Sequence, residues 1–450
     1  MPVTTAHPSY DEYLGMWTKC RDAHAGSEVI KAKGAEYLPK LSGQSINEYN
    51  AYKGRALFYG ITAKTVSGLV GMSVSIPPVI ESPEDMENLF KGANSLKFVN
   101  LWSMALQELL VTARFGVLID APVSGGDAYA SMYPTESILN WYTDDVGNPV
   151  LVVLFEAYHA VNANDRYLRE LKKQYRVLEL IDGVYSMSVW GEDGNQIGAT
   201  TQPKFKGQTI EYIPFRCVNP TGFGFEPVKS PMLDIVNINI SHYMSSADLE
   251  HGRHFTGLPT PVVIGVDSDS TLHIGSTSAW VIPMVGGDAK YLEFTGQGLQ
   301  SLEKALVEKQ SQLASMSARL IDNSSKGSES ADIVRLRYSS EAATLAGTVN
   351  TVSALLDWVY KTIAKLKGES EESVSIQLST DFVSGRLSTK EIADLTQAYI
   401  EGGISTETLI YNLRRGQVYS INQKDSDEIE AIKTLAKEKK EKQDVKVPVE

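Results

Sequence analysis

Three titratable residues near the middle of the chain have a spacing that could bind a divalent metal ion. Asp248, His251 and His254 follow one another at intervals of three along a predicted helix. A carboxylate with two imidazoles is a donor set that zinc accepts, which makes a metal-dependent enzyme one hypothesis. The alternative is that these are polar residues on the wet side of a helix near its C-terminus, where the helix dipole favours histidine. Because the spacing fixes no further strong ligand, we expect neither a metal nor a cofactor, and we place His242 at the surface as well.

Signatures of other chemistry are absent from the sequence. It contains no Gly-x4-Gly-Lys-Ser/Thr phosphate loop, no Gly-x-Ser-x-Gly nucleophile turn and no Cys-x-x-Cys pair. Gly296-Gln297-Gly298 precedes a predicted helix and could hold an anion at its N-terminus, but a lone Gly-x-Gly is more often a flexible joint. Asp267-Ser268-Asp269 lacks the glycine and terminal glutamate of a calcium loop, so a solvated turn is expected there.

Three long predicted helices and a β-rich segment position these residues. In each helix, apolar side chains recur on one face. They are Leu233, Val236, Ile240, Tyr243 and Ala247 in the first; Leu299, Leu302, Leu306, Leu313, Met316 and Leu320 in the second; and Leu345, Val349, Val352, Leu356, Val359, Ile363 and Leu366 in the third. Lys309 interrupts the second repeat. Between the first two helices, residues 258–294 hold short apolar runs bounded by Gly and Pro, at 261–266 and 279–285, which predicts a small β unit. The first two helices would then form an antiparallel rod with this unit at its tip, although such stripes also line ordinary cores.

The composition limits the possible classes of function. The chain has 450 residues, a formal net charge of −13 and a pI of about 5.2, which argues against a basic surface that grips nucleic acid. Acidity is compatible with a channel through which DNA slides, because such a wall should repel phosphate weakly rather than bind it. Cys20 and Cys217 provide no disulfide framework and no zinc spacing. No apolar run approaches the roughly 18 residues of a membrane span, and no signal peptide is indicated, so we expect a soluble cytoplasmic origin.

The remaining patterns predict an α+β fold. Helices are expected at residues 9–24, 45–74 and 98–115, and a buried strand at 116–120. Residues 131–214 hold short β-branched and aromatic runs separated by turns, among which Asp182-Gly183 is a specific hairpin signal. Residues 373–382 predict one strand. Capping-box spacing at Ser388 and a second helix start at Ser405 predict two short helices before a charged tail.

Several segments carry a resemblance to a known family. They are Tyr37-Leu38-Pro39, the run from Tyr52-Lys53-Gly54-Arg55-Ala56 through 66–72, residues 241–248, residues 251–261, and Gly402-Gly403-Ile404-Ser405 with Thr408-Leu409. With these segments the chain resembles portal proteins of tailed double-stranded DNA bacteriophages, in the portal group with an uncharacterised-domain-type sequence. The resemblance spans the chain from Tyr37 to about Gly416.

The resemblance implies a division of the chain into named regions. A wing would comprise residues 1–228, a stem two helices at 229–257 and 296–322, and a clip residues 258–295. A tunnel loop region would follow at 323–337, then the long wing helix with a closing strand at 338–382, and a helical crown with the charged tail at 383–450. Within the tunnel loop, the residues expected to face DNA are Asn323, Ser324, Ser325, Lys326, Gly327, Ser328, Glu329 and Ser330. Within the clip, the residues expected to contact neighbouring copies and docking proteins are Leu258, Val262, Val263, Ile264, Trp280, Val281 and Ile282.

A portal role follows from this resemblance as an expectation. Portals form rings, usually of twelve copies, at one capsid vertex, and viral DNA is packaged and ejected through the ring. The implied partners are other copies of the chain, the terminase large subunit, head-completion adaptor and tail proteins, the major capsid and scaffolding proteins, and double-stranded DNA without sequence specificity. We expect no catalysis and no membrane contact, and a location in the virion after assembly in the bacterial cytoplasm. A metal-dependent enzyme built on Asp248, His251 and His254, and another ring-forming head or tail protein, are the alternatives.

Overall fold

The structure is a computed structural model of the chain. It describes residues 2–83, 86, 93–120, 128–162, 164–205, 208–256, 260–265, 285–292, 297–321, 331–380, 382, 387, 389–415, 418 and 434. Helices and strands are both abundant, and the fold class is α+β, as the sequence predicts. No helix in these ranges is long and apolar enough to cross a lipid bilayer.

Among the described residues, the α-helices lie before residue 112 and after residue 232, and most of the strands lie between these two parts of the chain. The helices are α1 (Pro8–Ala25), α2 (Ser27–Lys33), α3 (Ile46–Arg55), α4 (Ile61–Val74), α5 (Ala93–Val111), α6 (Leu233–Thr256), α7 (Gln297–Ile321), α8 (Ala331–Lys367), α9 (Thr389–Ile400) and α10 (Thr406–Arg415). The strands are β1 (Val79–Glu81), β2 (Phe115–Asp120), β3 (Tyr129–Pro134), β4 (Ile138–Thr143), β5 (Pro149–Val161), β6 (Arg169–Ile181), β7 (Val184–Gly191), β8 (Gln196–Thr201), β9 (Lys204–Phe205), β10 (Gln208–Thr209), β11 (Phe215–Asn219), β12 (Gly222–Phe223), β13 (Thr260–Ile264), β14 (Asp288–Leu292) and β15 (Ser375–Gln377).

Strands β4 to β8 form a five-stranded antiparallel meander in sequence order. The β6–β7 turn is Asp182-Gly183, with φ of 50° and 77°, and Ile181 pairs with Val184 on either side of it. Two consecutive positive φ angles are what the favoured two-residue hairpin turns require, which explains why this local signal predicts the hairpin correctly. Beyond the reach of β4 and β7, β5 and β6 continue together as a two-stranded extension, residues 157–162 and 164–173, which we call the ribbon.

A second sheet has the strand order β12-β11-β2-β3 and is also antiparallel. Between it and the meander lies a core of large aromatic and aliphatic side chains, which we call the sheet core. Its members include Trp17, Leu118, Tyr133, Ile138, Trp141, Leu154, Leu178, Phe215 and Phe225. Gly116 is required where β2 passes this core, because a Cβ there would collide with the ring of Phe215 and come within 2.9 Å of Ile138.

The larger core lies among the helices, and we call it the helical core. Helix α8 packs against α5, β2, β11 and β15. Its predicted apolar stripe from Leu345 to Ile363 is buried, which confirms the predicted helical period. Helix α1 contributes to both cores, with Cys20 and Ala23 in the helical core and Tyr10 and Trp17 in the sheet core.

The predicted helix at residues 45–74 is wrong in one respect, because it is two helices. Ser45 and Glu48 form a capping box that starts α3, but the chain becomes extended at Ala56 and resumes a helix only at Ile61. Ser246 of α6 stabilises this break, since its Oγ accepts a hydrogen bond from the Leu57 N–H at 2.9 Å and donates one to the Leu57 carbonyl at 3.1 Å.

Three further boundaries differ from the predicted ones. Helix α5 ends at Val111 rather than Phe115, and the positive φ of 59° at Ala113 turns the chain into β2. Helix α8 begins at Ala331, so residues 331–337 are helical rather than part of a loop. The closing strand shrinks to β15, which pairs with β1 through Ile376 and Ile80. Ser388 lies outside the described residues, while the Ser405 hydroxyl accepts from the Thr408 N–H at 3.1 Å and caps α10 as predicted.

Candidate functional site

Helices α6 and α7 pack against each other and are joined by a segment that contains a β-hairpin. Strands β13 and β14 pair in antiparallel register from Thr260 with Leu292 to Ile264 with Asp288. The sequence predicts a β unit between these helices, and the hairpin confirms it. The pairing partner of β13 is residues 288–292, and residues 279–284 of the second predicted apolar run lie outside the described residues.

The predicted clip residues are only partly within the structure. Val262, Val263 and Ile264 all lie in β13, with Val262 and Val263 half-buried and Ile264 exposed. The other four, Leu258, Trp280, Val281 and Ile282, lie outside the described residues. Their roles stay predictions.

Helices α6 and α7 come close together near the hairpin. A Cβ on Gly252 would lie 2.5 Å from Leu299 Cδ2, so the absence of a side chain at position 252 permits the contact. Next to it, the Arg253 guanidinium forms ion pairs with Glu250 at 2.9 Å and with Glu303 of α7 at 2.8 Å. A small residue and a cross-helix ion pair therefore fix the two helices at the end that leads to the hairpin.

The middle of the α6–α7 interface is polar. Lys309, the residue that interrupts the predicted apolar repeat of α7, donates to the Ser241 carbonyl at 3.2 Å and to Ser245 Oγ at 2.6 Å. Its neighbour Gln310 lies with its Nε2 3.3 Å from His242 Nε2. The interruption is thus a specific contact with α6 rather than a defect in the pattern.

The prediction that His242 is at the surface is wrong. Its side chain is buried at 1% exposure, and its ring lies against Tyr59 with ring centroids 4.7 Å apart. Burial, and next the positive charge of Lys309, lower the pKa of His242 below its ordinary value. The lowered pKa favours the neutral imidazole. The burial itself arises because α7 and the chain entering α4 cover α6 on this side.

The three candidate metal ligands have other interactions. Asp248 Oδ1 accepts a hydrogen bond from the Tyr52 hydroxyl at 2.6 Å, and His251 Nδ1 lies 3.4 Å from the Arg55 guanidinium. Burial and the Arg55 charge lower the pKa of His251, while His254 is exposed one turn further along. Nowhere in the described ranges do three His, Cys, Asp or Glu side chains form a group that could hold a metal. The structure does not bring the three together, and the metal hypothesis is wrong for this geometry.

Helix α6 is embedded in the protein rather than standing free. It packs against α1 and α3 as well as α7, and Asn239 reaches out to donate to the Tyr59 carbonyl at 2.7 Å. Most residues of its predicted stripe, including Val236, Tyr243 and Ala247, are buried within this one chain. The apolar stripe of α6 is therefore largely covered within this one chain, as it would be in an ordinary core.

The predicted tunnel loop falls between α7 and α8. Asn323, Ser324, Ser325, Lys326, Gly327, Ser328, Glu329 and Ser330 all lie outside the described residues. The structure does fix the chain on both sides, since α7 ends at Ile321 and α8 begins at Ala331. The segment is therefore a connection between two long helices that contact each other.

Sequence reasoning missed two arginines that hold the fold together. Arg114 is fully buried in the sheet core, where its guanidinium lies 4.1 Å from the Trp141 ring centroid and its Nε donates to the Phe225 carbonyl at 2.9 Å. Arg21 of α1 joins Glu108 of α5 at 2.8 Å and Glu136 at 2.5 Å. The partners lie about a hundred residues away along the chain, so no local pattern could reveal them.

The fold defines an α+β protein in which two packed helices flank a hairpin and lead into a third long helix. A family model described as a domain of unknown function, DUF4055, matches residues 231–366, which cover α6, the hairpin, α7 and nearly all of α8. No curated protein matches the chain.

Several solved structures are similar to the chain at low identity. One is described as the neck of an empty GTA particle computed with C6 symmetry; it is 13% identical with a TM-score of 0.42, and the match covers 82% of this chain and 94% of that one. Another is described as the virion of a native gene transfer agent particle, 13% identical with a TM-score of 0.41, covering 86% of this chain and 98% of that one. A third, the neck of a native GTA particle computed with C12 symmetry, is 14% identical with a TM-score of 0.37 and covers 79% and 90%.

Proposed function

We propose that the chain is a structural protein of the head-to-tail region of a tailed, phage-like particle, and that within this region it is the portal. The observation that carries the proposal is the order of elements from α6 to α8. A long helix, a hairpin, a second long helix packed against the first and a third long helix follow one another, as the resemblance to portal proteins implies. The residues of these elements overlap those that the resemblance assigns to the stem, clip and wing, which supports the proposal.

In this proposal the chain acts as one segment of a ring around DNA. Copies would be arranged so that α6 and α7 line a channel, and the acidic balance of the chain would let phosphate slide without binding tightly. The work of moving DNA would fall to the terminase, because the proposed role of this chain is to form the passage and not to hydrolyse nucleotides. Head-completion adaptor, tail, capsid and scaffolding proteins would be its other partners, at one vertex of the virion.

The connection between α7 and α8 is the proposed constriction of the channel. Residues 323–330 are polar, with Lys326 as their only cation, so they are suited to contact with water or phosphate. Deleting them should spare assembly of the ring and impair packaging or retention of DNA in a complementation assay. If packaging were unaffected, the segment would be a connector only.

The hairpin is the proposed docking surface for terminase and adaptor. Residues 258–294 are too few to fold alone without disulfides or metal, so we expect the edges of β13 and β14 to meet neighbouring copies. Replacing 258–294 with a short Gly-Ser linker should leave the far-UV circular dichroism of the remainder intact and abolish adaptor binding. An adaptor that bound the truncated ring with unchanged affinity would place the docking surface elsewhere.

Negative-stain electron microscopy of the purified full-length chain tests the proposal as a whole. We expect closed rings of about twelve copies, the usual number in such assemblies, with a central hole, and light scattering should give the mass of the same closed oligomer. A chain that is strictly monomeric at micromolar concentration in moderate salt would overturn the proposal. A second outcome would reject the portal role alone. If the purified chain forms rings but particles that lack its gene still package DNA normally, the chain is a structural protein other than the portal.

A further inference from the structure

The ribbon of β5 and β6 extends away from the rest of its sheet. Strand β4 pairs with β5 only as far as Leu154, and β7 pairs with β6 only from Gln174 onward. Residues 157–161 and 169–173 therefore pair only with each other among the described residues, and each has an open outer edge. A lone two-stranded hairpin is marginally stable in water, so a ribbon of this length gains from a surface that covers it.

The ribbon exposes apolar side chains on both faces and at its turn. Val161 pairs with Arg169, and Leu171 pairs with His159 two positions along the ribbon. Side chains two positions apart on a strand lie on the same face, so Val161 and Leu171 share one face. The pair of Tyr158 and Lys172 lies on the other. Tyr158 is exposed on the opposite face. The exposed fractions of the turn residues Tyr167 and Leu168 are 78% and 51%. Single exposed apolar residues are ordinary, but a group of this density on one projection is typical of an interaction surface.

The charge of the ribbon is opposite to that of the chain. It carries four basic side chains, Arg166, Arg169, Lys172 and Lys173, against two acidic ones, Asp165 and Glu170, whereas the whole chain has a net charge of −13. Among the described residues only Lys173 of the four forms an ion pair with a carboxylate, Glu192 at 3.0 Å. Arg166 donates to the Tyr167 hydroxyl and Arg169 to the Arg166 carbonyl, but these contacts leave the positive charges without a carboxylate among the described residues.

We propose that the ribbon docks on the acidic surface of a second copy of this chain. The inference rests on the ring proposed above and deepens it by assigning one of its contacts. Two observations favour a second copy over DNA as the occupant. Val161, Leu168 and Leu171 are aliphatic and can neither donate a hydrogen bond to phosphate nor pair with its charge, and the rest of the chain supplies the opposite charge to the ribbon. A ribbon that binds a different surface on the next copy makes a head-to-tail contact, the type that closes rings.

Sedimentation velocity over a concentration series tests the proposal with two matched double variants of the full chain. Tyr167→Ser with Leu171→Ser removes apolar side chains from the ribbon. Tyr142→Ser with Val146→Ser removes equally exposed ones near the β4–β5 turn at the other end of the meander. All four positions are exposed, so both variants should keep the far-UV circular dichroism of the wild type.

We expect the ribbon variant to self-associate about tenfold more weakly or worse, and the control to match the wild type. Arg169→Glu should weaken association in the same direction at 100 mM NaCl, and the difference should shrink at 500 mM NaCl as salt screens the charges. An oligomer that forms equally well in the wild type and the ribbon variant would overturn this inference and leave the proposed function intact. A monomeric wild type would overturn both. Loss of binding to a labelled DNA duplex with unchanged self-association would assign the ribbon to DNA instead.

Photo-crosslinking provides a second readout that does not depend on weakening the assembly. Both natural cysteines, Cys20 and Cys217, are buried, so a cysteine introduced as Tyr167→Cys can be labelled selectively with a benzophenone reagent. In a mixture of ¹⁴N and ¹⁵N chains, crosslinked peptides should join the two isotopes and map to a surface rich in Asp and Glu. Crosslinks confined to single chains in an assembled oligomer would contradict the proposal.

Discussion

The hydrogen bond between Tyr52 and Asp248 makes a quantitative prediction about how α3 holds α6. The Tyr52 hydroxyl is 2.6 Å from Asp248 Oδ1, and the Tyr52 side chain is buried at 2% exposure. Burial, and next this bond, raise the pKa of Tyr52, so the hydroxyl remains a donor throughout the neutral range. Tyr52→Phe removes the donor and leaves the packing of the ring unchanged.

The expected cost follows from the charge and exposure of the partner. A hydrogen bond to a charged group contributes a net 1.5–3 kcal/mol or so to the free energy of unfolding. Asp248 is exposed and regains water when the hydroxyl is lost, which selects the lower end. We therefore expect Tyr52→Phe to cost about 1.5 kcal/mol, and a double-mutant cycle with Asp248→Ala to show a coupling of similar size.

Urea unfolding followed by circular dichroism measures this coupling, and Tyr49 is the matched control. The Tyr49 hydroxyl donates to the Leu38 carbonyl at 2.9 Å, on the same helix α3 but away from Asp248. The cycle of Tyr49→Phe with Asp248→Ala should therefore give a coupling below about 0.5 kcal/mol. If the coupling between Tyr52→Phe and Asp248→Ala were also below about 0.5 kcal/mol, the hydrogen bond would contribute nothing to stability and the reasoning would be refuted.

Three further predictions concern buried charges and histidines. Arg114→Met should lower the free energy of unfolding by about 3 kcal/mol, since it removes a donor to a carbonyl and a desolvated cation over Trp141 while keeping the apolar stem; a variant as stable as wild type in urea would show the charge to be dispensable. The pKa values of several histidines are lowered from 6.5, chiefly by burial: His7, His24, His242 and His251. The unfolded chain therefore takes up these protons at higher pH than the native state does, so the free energy of unfolding should fall as the pH drops below about 6.5. Each of these histidines can lower it by up to about 1.4 kcal/mol for each pH unit. Urea midpoints that stay constant between about pH 7.5 and 5.5 would contradict this. Lys309→Met should raise the pKa of His242 in an NMR titration because it removes a nearby positive charge, whereas Lys304→Met on the exposed side of α7 should leave it unchanged.

The elements that the sequence predicts correctly are those specified by local chemistry. Asp182-Gly183 encodes its own turn, and the apolar period of α8 encodes a buried face whatever lies opposite. The break between α3 and α4 has no comparable signal. The hydrogen bonds that replace the helix there come from Ser246, 189 residues away along the chain.

The candidate site shows the same limit. A spacing of three places the side chains of Asp248 and His251 next to each other on a helix. It does not reveal that Asp248 accepts a hydrogen bond from Tyr52 or that His251 lies beside Arg55. His242 is a histidine of α6 like His251, and the sequence predicts both at the surface, yet His242 is buried because α7 packs over it. Which polar residues of α6 meet a partner depends on tertiary packing, and a sequence period describes only which residues share a face.

The sharing of α1 between the two cores has a consequence for how the chain comes apart. Trp17 closes the sheet core and Cys20 the helical core, one turn apart on the same helix, and Arg21 ties that turn to Glu108 and Glu136. If α1 detaches to open one core, the other core loses the α1 side chains that pack in it, so the free energies of opening the two cores are linked. Regions that look separable along the sequence therefore melt as one unit, and a protease should find no stable fragment that ends between α1 and β2.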